Sequence, residues 1–215
     1  MKLTANVIGA TGLVGQQLVR QLFESSVYEK VRIFVRRETG ITHPKLEEYI
    51  IDFDRPESWT HLVTGDVLFS ALGTTIKTVK TRENQYRVDF TYQHEFAKVA
   101  AENGIETYIL VSSIGANARS SVFYSRMKGQ LEDAVALLKF RRLLIFRPSI
   151  LDGARQEKRT GEKIGLVISR FVTNFIFKNY TPTPVDILAA KMIRSSVDGI
   201  DGCHIIEGAA IFHRE

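Results

Sequence analysis

The chain has 215 residues, 44% apolar and 25% charged, with 29 Lys and Arg against 24 Asp and Glu for a net charge of +5. That length suits one domain able to bury a sizeable core without covalent staples. A single cysteine, Cys203, excludes an internal disulfide and a thiolate metal cage, and a mild, scattered positive excess fits an anionic small ligand and makes no case for nucleic acid.

No apolar run reaches the length of a membrane span. The stretch from Leu3 to Gly15 is short, rich in glycine and lacks the basic head of a signal peptide. The expectation is a soluble, cytoplasmic protein in a reducing compartment. The five histidines fall in no metal-ligand spacing, so no metal is expected.

In chain order, Leu3–Ile8 predicts a buried strand and a glycine turn follows. Leu13–Phe23 places Leu18, Val19 and Leu22 on one helical stripe. Val31–Val35, Glu48–Phe53 and Val67–Leu72 read as further strands. Asp89–Asn103 predicts a helix with Phe96, Val99 and Ala100 inward, closed by Gly104. Tyr108–Val111 is a strand ending in Ser112-Ser113, Ser125–Phe140 a long helix, and Arg142–Phe146 a strand stopped by Pro148. Continuous apolar strands between helices predict an α/β fold with a doubly wound parallel sheet. Beyond it, the apolar stretch 164–177 and Val185–Asp198 read as helices, and Cys203–Glu207 as a last strand with Cys203 a small core residue. No linker precedes this region. Residues 1–215 are therefore read as one domain, with 152–215 contributing a small substrate-side lobe.

Three signals carry chemistry. The first is Gly9-Ala-Thr-Gly12-Leu-Val-Gly15, between a strand and a helix. Such a turn brings backbone N–H groups and a helix N-terminus to a pyrophosphate. Gly9 and Gly12 clear the approach and Gly15 lets the helix pack close; Thr11, Leu13 and Val14 supply donors and contact area. The second is Arg36-Arg37 at the end of the second strand. A site for NAD carries an acid there, whereas a guanidinium fork matches the 2′-phosphate of NADP(H). Asp52, at the end of the third strand, stands where a carboxylate can accept from adenine, and Leu72-Gly73-Thr74 ends the fourth strand on the same edge.

The third signal is Tyr124-Ser-Arg-Met-Lys128, downstream of Ser112-Ser113. Residues four apart share one helix face. An ammonium beside a phenol favours phenolate and lowers the tyrosine pKa, so that Tyr124 exchanges a proton with a carbonyl or alcohol oxygen near neutral pH. A serine hydroxyl holds the same oxygen.

Together with Ala71-Leu-Gly-Thr-Thr75, Val88-Asp89, Val111-Ser-Ser-Ile-Gly-Ala116, Phe123–Gly129, Phe146–Leu151 and the segment 155–159, these motifs resemble an atypical short-chain dehydrogenase/reductase. The likeness is to the NmrA-like, Rossmann-type group, and within it to the Tat-interacting oxidoreductase family; it covers residues 3–165. The resemblance implies Tyr124 as general acid/base, Lys128 as holder of the nicotinamide ribose, Ser113 as the residue that polarises the carbonyl, Leu151 beside the nicotinamide and Arg159 near cofactor phosphate or substrate. Ser112 stays open as the alternative to Ser113, because Tyr124 follows Ser113 by only 11 positions.

The function expected is therefore NADPH-dependent reduction of a small or medium carbonyl compound. The alternative is an NADP(H)-binding regulator or sensor that acts through a protein partner without turnover. The segment 152–180 is expected to close as a lid over the nicotinamide end.

Overall fold

The computed structural model describes residues 2–152, 182–198 and 200–212. The segments 153–181 and 213–215 therefore lie outside the described residues, and with them the helix expected over 164–177, Arg159 and almost all of the expected lid. The first half of the chain builds β1 (Leu3–Ile8), α1 (Leu13–Glu24), β2 (Tyr28–Val35), β3 (Leu46–Ile50) and β4 (Val67–Ser70). Next come α2 (Ile76–Val79), α3 (Arg82–Tyr86), a wide π-helical turn over Arg87–Thr91, α4 (Tyr92–Glu102), β5 (Thr107–Val111), α5 (Phe123–Ala136) and β6 (Arg142–Arg147). The two-residue strands β7 (Leu151–Asp152) and β8 (Thr183–Pro184) pair with each other, and α6 (Val185–Asp198) and β9 (Gly202–Glu207) complete the elements used below.

Seven strands form one sheet in the order β3-β2-β1-β4-β5-β6-β9, and every neighbouring pair is parallel. Period-2 alternation divides the strand side chains between two cores. Val7, Ile33, Phe69, Ile109 and Leu144 meet α1 and α6 on one face. Ile8, Phe34, Leu68, Leu110 and Ile145 meet α4 and α5 on the other. Both faces are covered, so β4 and β5 are buried at every residue. This is the doubly wound, Rossmann-type sheet.

Strand order fixes where ligands can go. The chain runs outward from β1 to β3, then returns to β1's other side as β4. The reversal opens a crevice at the carboxyl ends of β1 and β4. Gly9–Gly15, Arg36-Arg37, Ala71–Thr74, Ser112-Ser113 and Pro148–Leu151 all follow carboxyl ends of parallel strands, so they share one edge of the sheet.

Three local expectations are corrected. The third strand is Leu46–Ile50 rather than Glu48–Phe53. Ile51 and Phe53 are buried in the loop beyond it, so their apolar signal came from packing without strand pairing. The helix expected to begin at Asp89 is the last part of a longer run, started where the Thr81 side chain accepts from the Asn84 N–H at 3.1 Å. Cys203 is exposed, because β9 is the sheet's outermost strand.

Candidate functional site

The glycine turn is sterically obligatory. Gly9 has φ +80°, and a Cβ there would lie 2.4 Å from the backbone of Ala71 and Leu72. A Cβ on Gly15 would lie 2.0 Å from the Gly9 carbonyl oxygen. The turn after β1 thus packs directly on the loop after β4, and α1 starts against the turn. No side chain caps the N-terminus of α1, and its first turn carries no acid. Its backbone N–H groups are left for an anionic group, which the exposed Thr11 and half-buried Gly12 and Leu13 border. These residues fit a dinucleotide pyrophosphate. Val14 and Gly15 are buried and serve the helix–sheet contact.

Arg36 and Arg37 follow the end of β2 and are exposed; neither has an ion-pair partner among the described residues. Their loop is fastened: the Thr39 N–H donates to Glu48 Oε1 at 3.1 Å, and the Thr39 hydroxyl donates to Glu48 Oε2. Asp52 lies two residues beyond β3. Its carboxylate accepts from the Asp54 N–H at 3.0 Å and faces Arg55 at 3.6 Å, while its carbonyl accepts from the Trp59 indole at 2.9 Å.

At the other end of the edge, α5 presents Tyr124, half-buried, and Lys128, 3% exposed. The Ser113 hydroxyl lies beside the Tyr124 phenol and favours its ionised form. Ser112 points elsewhere, and its hydroxyl donates to the buried Glu132. Arg147 of β6 holds that carboxylate through both oxygens, at 3.1 and 2.6 Å, and reaches Glu207 at 3.3 Å. Of the two serines, Ser113 therefore faces the tyrosine.

The loop between β5 and α5 is pressed onto the helix. A Cβ on Gly129 would fall 2.1 Å from the Ala118 nitrogen, and Arg126 donates to the Ser120 and Ser121 carbonyls at 2.7 and 3.1 Å. Gly129 thus lets Ser113, Tyr124 and Lys128 share one rigid corner. Leu151 is half-buried at the start of β7.

A residue without an assigned role in the sequence reading completes this corner. Asp89, in the wide turn, is 1% exposed. Its Oδ1 lies 3.5 Å from Lys128 Nζ, and its Oδ2 accepts from the Thr74 N–H at 2.8 Å. Gly73 makes room, since a Cβ there would stand 3.3 Å from Oδ1. Burial pushes the Asp89 carboxyl up, against the pull of Lys128 and the Thr74 N–H. The Lys128 ammonium is favoured by Tyr124, Asp89 and Glu132 together, which outweigh its own burial.

The expected lowering of the Tyr124 pKa is not met. Burial raises it and the Asp89 charge adds to that, and together they exceed the lowering by Lys128 and Ser113. The sequence supplied the ammonium but not the desolvation or the facing acid.

The parallel sheet and the glycine turn at its carboxyl edge are those of a Rossmann-type protein that binds a nicotinamide dinucleotide. The family described as NAD(P)H-binding matches residues 9–141, and the chain belongs to it. It is similar to the mitochondrial protein FMP52-1 of Scheffersomyces stipitis, 38% identical over 162 residues, 73% of this chain and 71% of that one. It is also similar to the mitochondrial fmp52 of Aspergillus fumigatus, 32% identical over 213 residues, 92% of this chain and 89% of that one. Among solved structures, a short chain dehydrogenase from Burkholderia cenocepacia in complex with NADP superposes with a TM-score of 0.67 at 16% identity, covering 97% of this chain and 90% of that one. A UDP-N-acetylglucosamine 4-epimerase from Methanobrevibacter ruminantium gives 0.70 at 16% identity, with 96% and 77% covered. Both likenesses are of fold. The expectation of a cytoplasmic protein is overturned, because the curated relatives are named mitochondrial. No helix of the described residues is long and apolar enough to cross a membrane.

Proposed function

We propose that the protein is an NADPH-dependent reductase of a small or medium carbonyl compound, working in the mitochondrion. The observation that carries this reading is the meeting of Ser113, Tyr124 and Lys128 at the carboxyl edge that also holds the glycine turn. When bound, NADPH supplies the hydride that the carbonyl carbon accepts. Tyr124 gives its phenolic proton to the carbonyl oxygen, Ser113 donates a hydrogen bond to that oxygen, and Lys128 holds the nicotinamide ribose and the charge beside Tyr124.

Along the cofactor's length, Gly9, Thr11, Gly12, Leu13, Val14 and Gly15 form the pyrophosphate cradle. Leu72, Gly73 and Thr74 line the wall opposite it, and Asp52 meets adenine. Arg36 and Arg37 read the 2′-phosphate; their exposure and their lack of carboxylate partners among the described residues support NADP(H) over NAD(H). Leu151 flanks the nicotinamide. Arg159 and the substrate-side lobe of residues 152–215 complete the site, as the likeness to the Tat-interacting oxidoreductases implies.

Titration of purified protein with NADPH and NADH, followed by a carbonyl panel read as loss of dihydronicotinamide absorbance, tests the reading. Saturable NADPH binding with Tyr124-dependent turnover supports it. Binding without turnover of any carbonyl in the panel sinks the reductase assignment.

A further inference from the structure

Asp89 is built into the interior with unusual completeness. Its carboxylate meets the Thr74 N–H and Lys128, and its own backbone carbonyl accepts from Gln93 Nε2 at 2.7 Å. Gln93 Oε1 in turn accepts from the Ser70 hydroxyl at 2.7 Å, all of it buried. The acid is thereby tied to the end of β4, to the loop after it, and to α5. Wide turns of this kind recur at functional sites, and an uncompensated buried charge is costly enough that each charge here needs a partner.

The charges around the phenol and its lysine can be assigned one by one. From α5 come Lys128, beside the phenol, and one turn further Glu132, which acts on Lys128. From the wide turn comes Asp89; the loop after β5 contributes only the Ser113 hydroxyl. Glu132 is answered by Arg147 of β6, which also meets Glu207 of β9. Asp89 is then the counter-charge of Lys128, and Tyr124 faces a compensated pair instead of a bare ammonium.

We propose that Asp89 is a positioning residue: its buried carboxylate holds Lys128 against the Gly73–Thr74 loop as an ion pair and offsets the pull of the ammonium on the Tyr124 phenol. The inference rests on Tyr124 being the proton-transfer group. In the step it serves, the phenolic O–H bond breaks, the substrate oxygen gains the proton, and solvent reprotonates the phenolate. Removing the Asp89 charge leaves Lys128 and Tyr124 together with one positive charge in place of none. The first proton of the group then leaves at lower pH.

The test is a pH titration of the full chain labelled with 13C at tyrosine Cζ, the Tyr124 signal being identified by its loss in Tyr124→Phe. In the wild type, Tyr124 is expected to ionise above about pH 10, the ordinary tyrosine value. In Asp89→Asn, which keeps the shape and an acceptor for the Thr74 N–H, its midpoint is expected to fall by about 1–3 units. A wild-type midpoint at or below pH 10, or an Asp89→Asn midpoint equal to or above the wild type, overturns the proposal. Should Asp89→Asn not fold, Asp89→Ser is titrated in its place, with the same fall expected and the same absence of a fall overturning the proposal. NADPH titration of the same wild-type sample separates the two claims. Failure to bind NADPH removes the reductase reading and leaves the tyrosine titration readable.

Discussion

The Ser112 hydroxyl donates to the Glu132 carboxylate in the protein interior, with Arg147 on the carboxylate's far side. That contact turns two adjacent serines to different partners, Ser112 to Glu132 and Ser113 to Tyr124. Ser112→Ala is expected to destabilise by about 1–3 kcal/mol in urea unfolding, because it withdraws a hydrogen bond from a buried carboxylate. Its turnover should stay near wild type. Ser113→Ala should unfold like wild type and lose about 10²–10³ in kcat. The reverse pattern would give Ser112 the catalytic role.

Arg36→Ala should weaken NADPH binding roughly ten- to a hundredfold, the worth of one charge-assisted hydrogen bond, and leave NADH binding almost unchanged. Glu48→Ala releases the loop through Thr39 and should weaken NADPH in the same direction by less. Isothermal titration with both cofactors checks the pair. Equal losses for NADPH and NADH in Arg36→Ala would show that the 2′-phosphate is read elsewhere.

Gly9→Ala should be far more damaging than Gly115→Ala. Both positions have positive φ, +80° and +75°, but a Cβ at Gly9 meets backbone at 2.4 Å whereas nothing lies within 4 Å of one at Gly115. Conformational strain alone costs about 1–2 kcal/mol. Gly9→Ala adds a clash with backbone that has no flexible side chain to yield. Denaturant unfolding of the two variants, with an NADPH titration on each, is the measurement. Gly9→Ala should lose cofactor binding and Gly115→Ala should keep it.

Tyr28 gives a pH-dependent prediction away from the site. It is 1% exposed, its hydroxyl meets Ser196, and burial pushes its pKa up to about 12. The unfolded phenol titrates near 10. A raised folded pKa means stability that is full below about pH 10 and is lost as pH climbs to about 12, by roughly 2–3 kcal/mol. Tyr28→Phe gives up the Ser196 contact, so it starts less stable at pH 8 but should show a shallower alkaline decline. Parallel slopes for the two proteins from pH 9 to 12 would contradict this.

What the sequence made legible was whatever steric necessity writes as glycine. Gly9 and Gly15 are such cases, since no other residue fits 2.4 and 2.0 Å approaches. Tyr124 and Lys128 were legible because four residues of helix bring two side chains to one face. Asp89 was legible only as part of the Val88-Asp89 motif, with no role attached, because periodicity near 3.6 carries no sign of a wider turn. The protonation tendency of Tyr124 was hidden for a related reason: spacing shows the neighbour on the same helix but not the acid that the β4 loop and the wide turn bring from elsewhere. At β3, Ile51 and Phe53 carried a true burial signal and a false strand signal.

The wide turn over Arg87–Thr91 also acts as a rotational offset between α3 and α4. Each residue of an α-helix advances the side chains by about 100°, so one extra residue in a turn swings everything before it by that angle relative to everything after. The inward direction of Asp89 is thus a matter of phase. Deleting a single residue from 87–91, with every site side chain retained, would re-index Asp89 against Gln93 and point the carboxylate away from Lys128. The charge balance of the site is therefore encoded in chain length as much as in residue type, and a length change there would alter the chemistry without touching a residue that contacts substrate or cofactor.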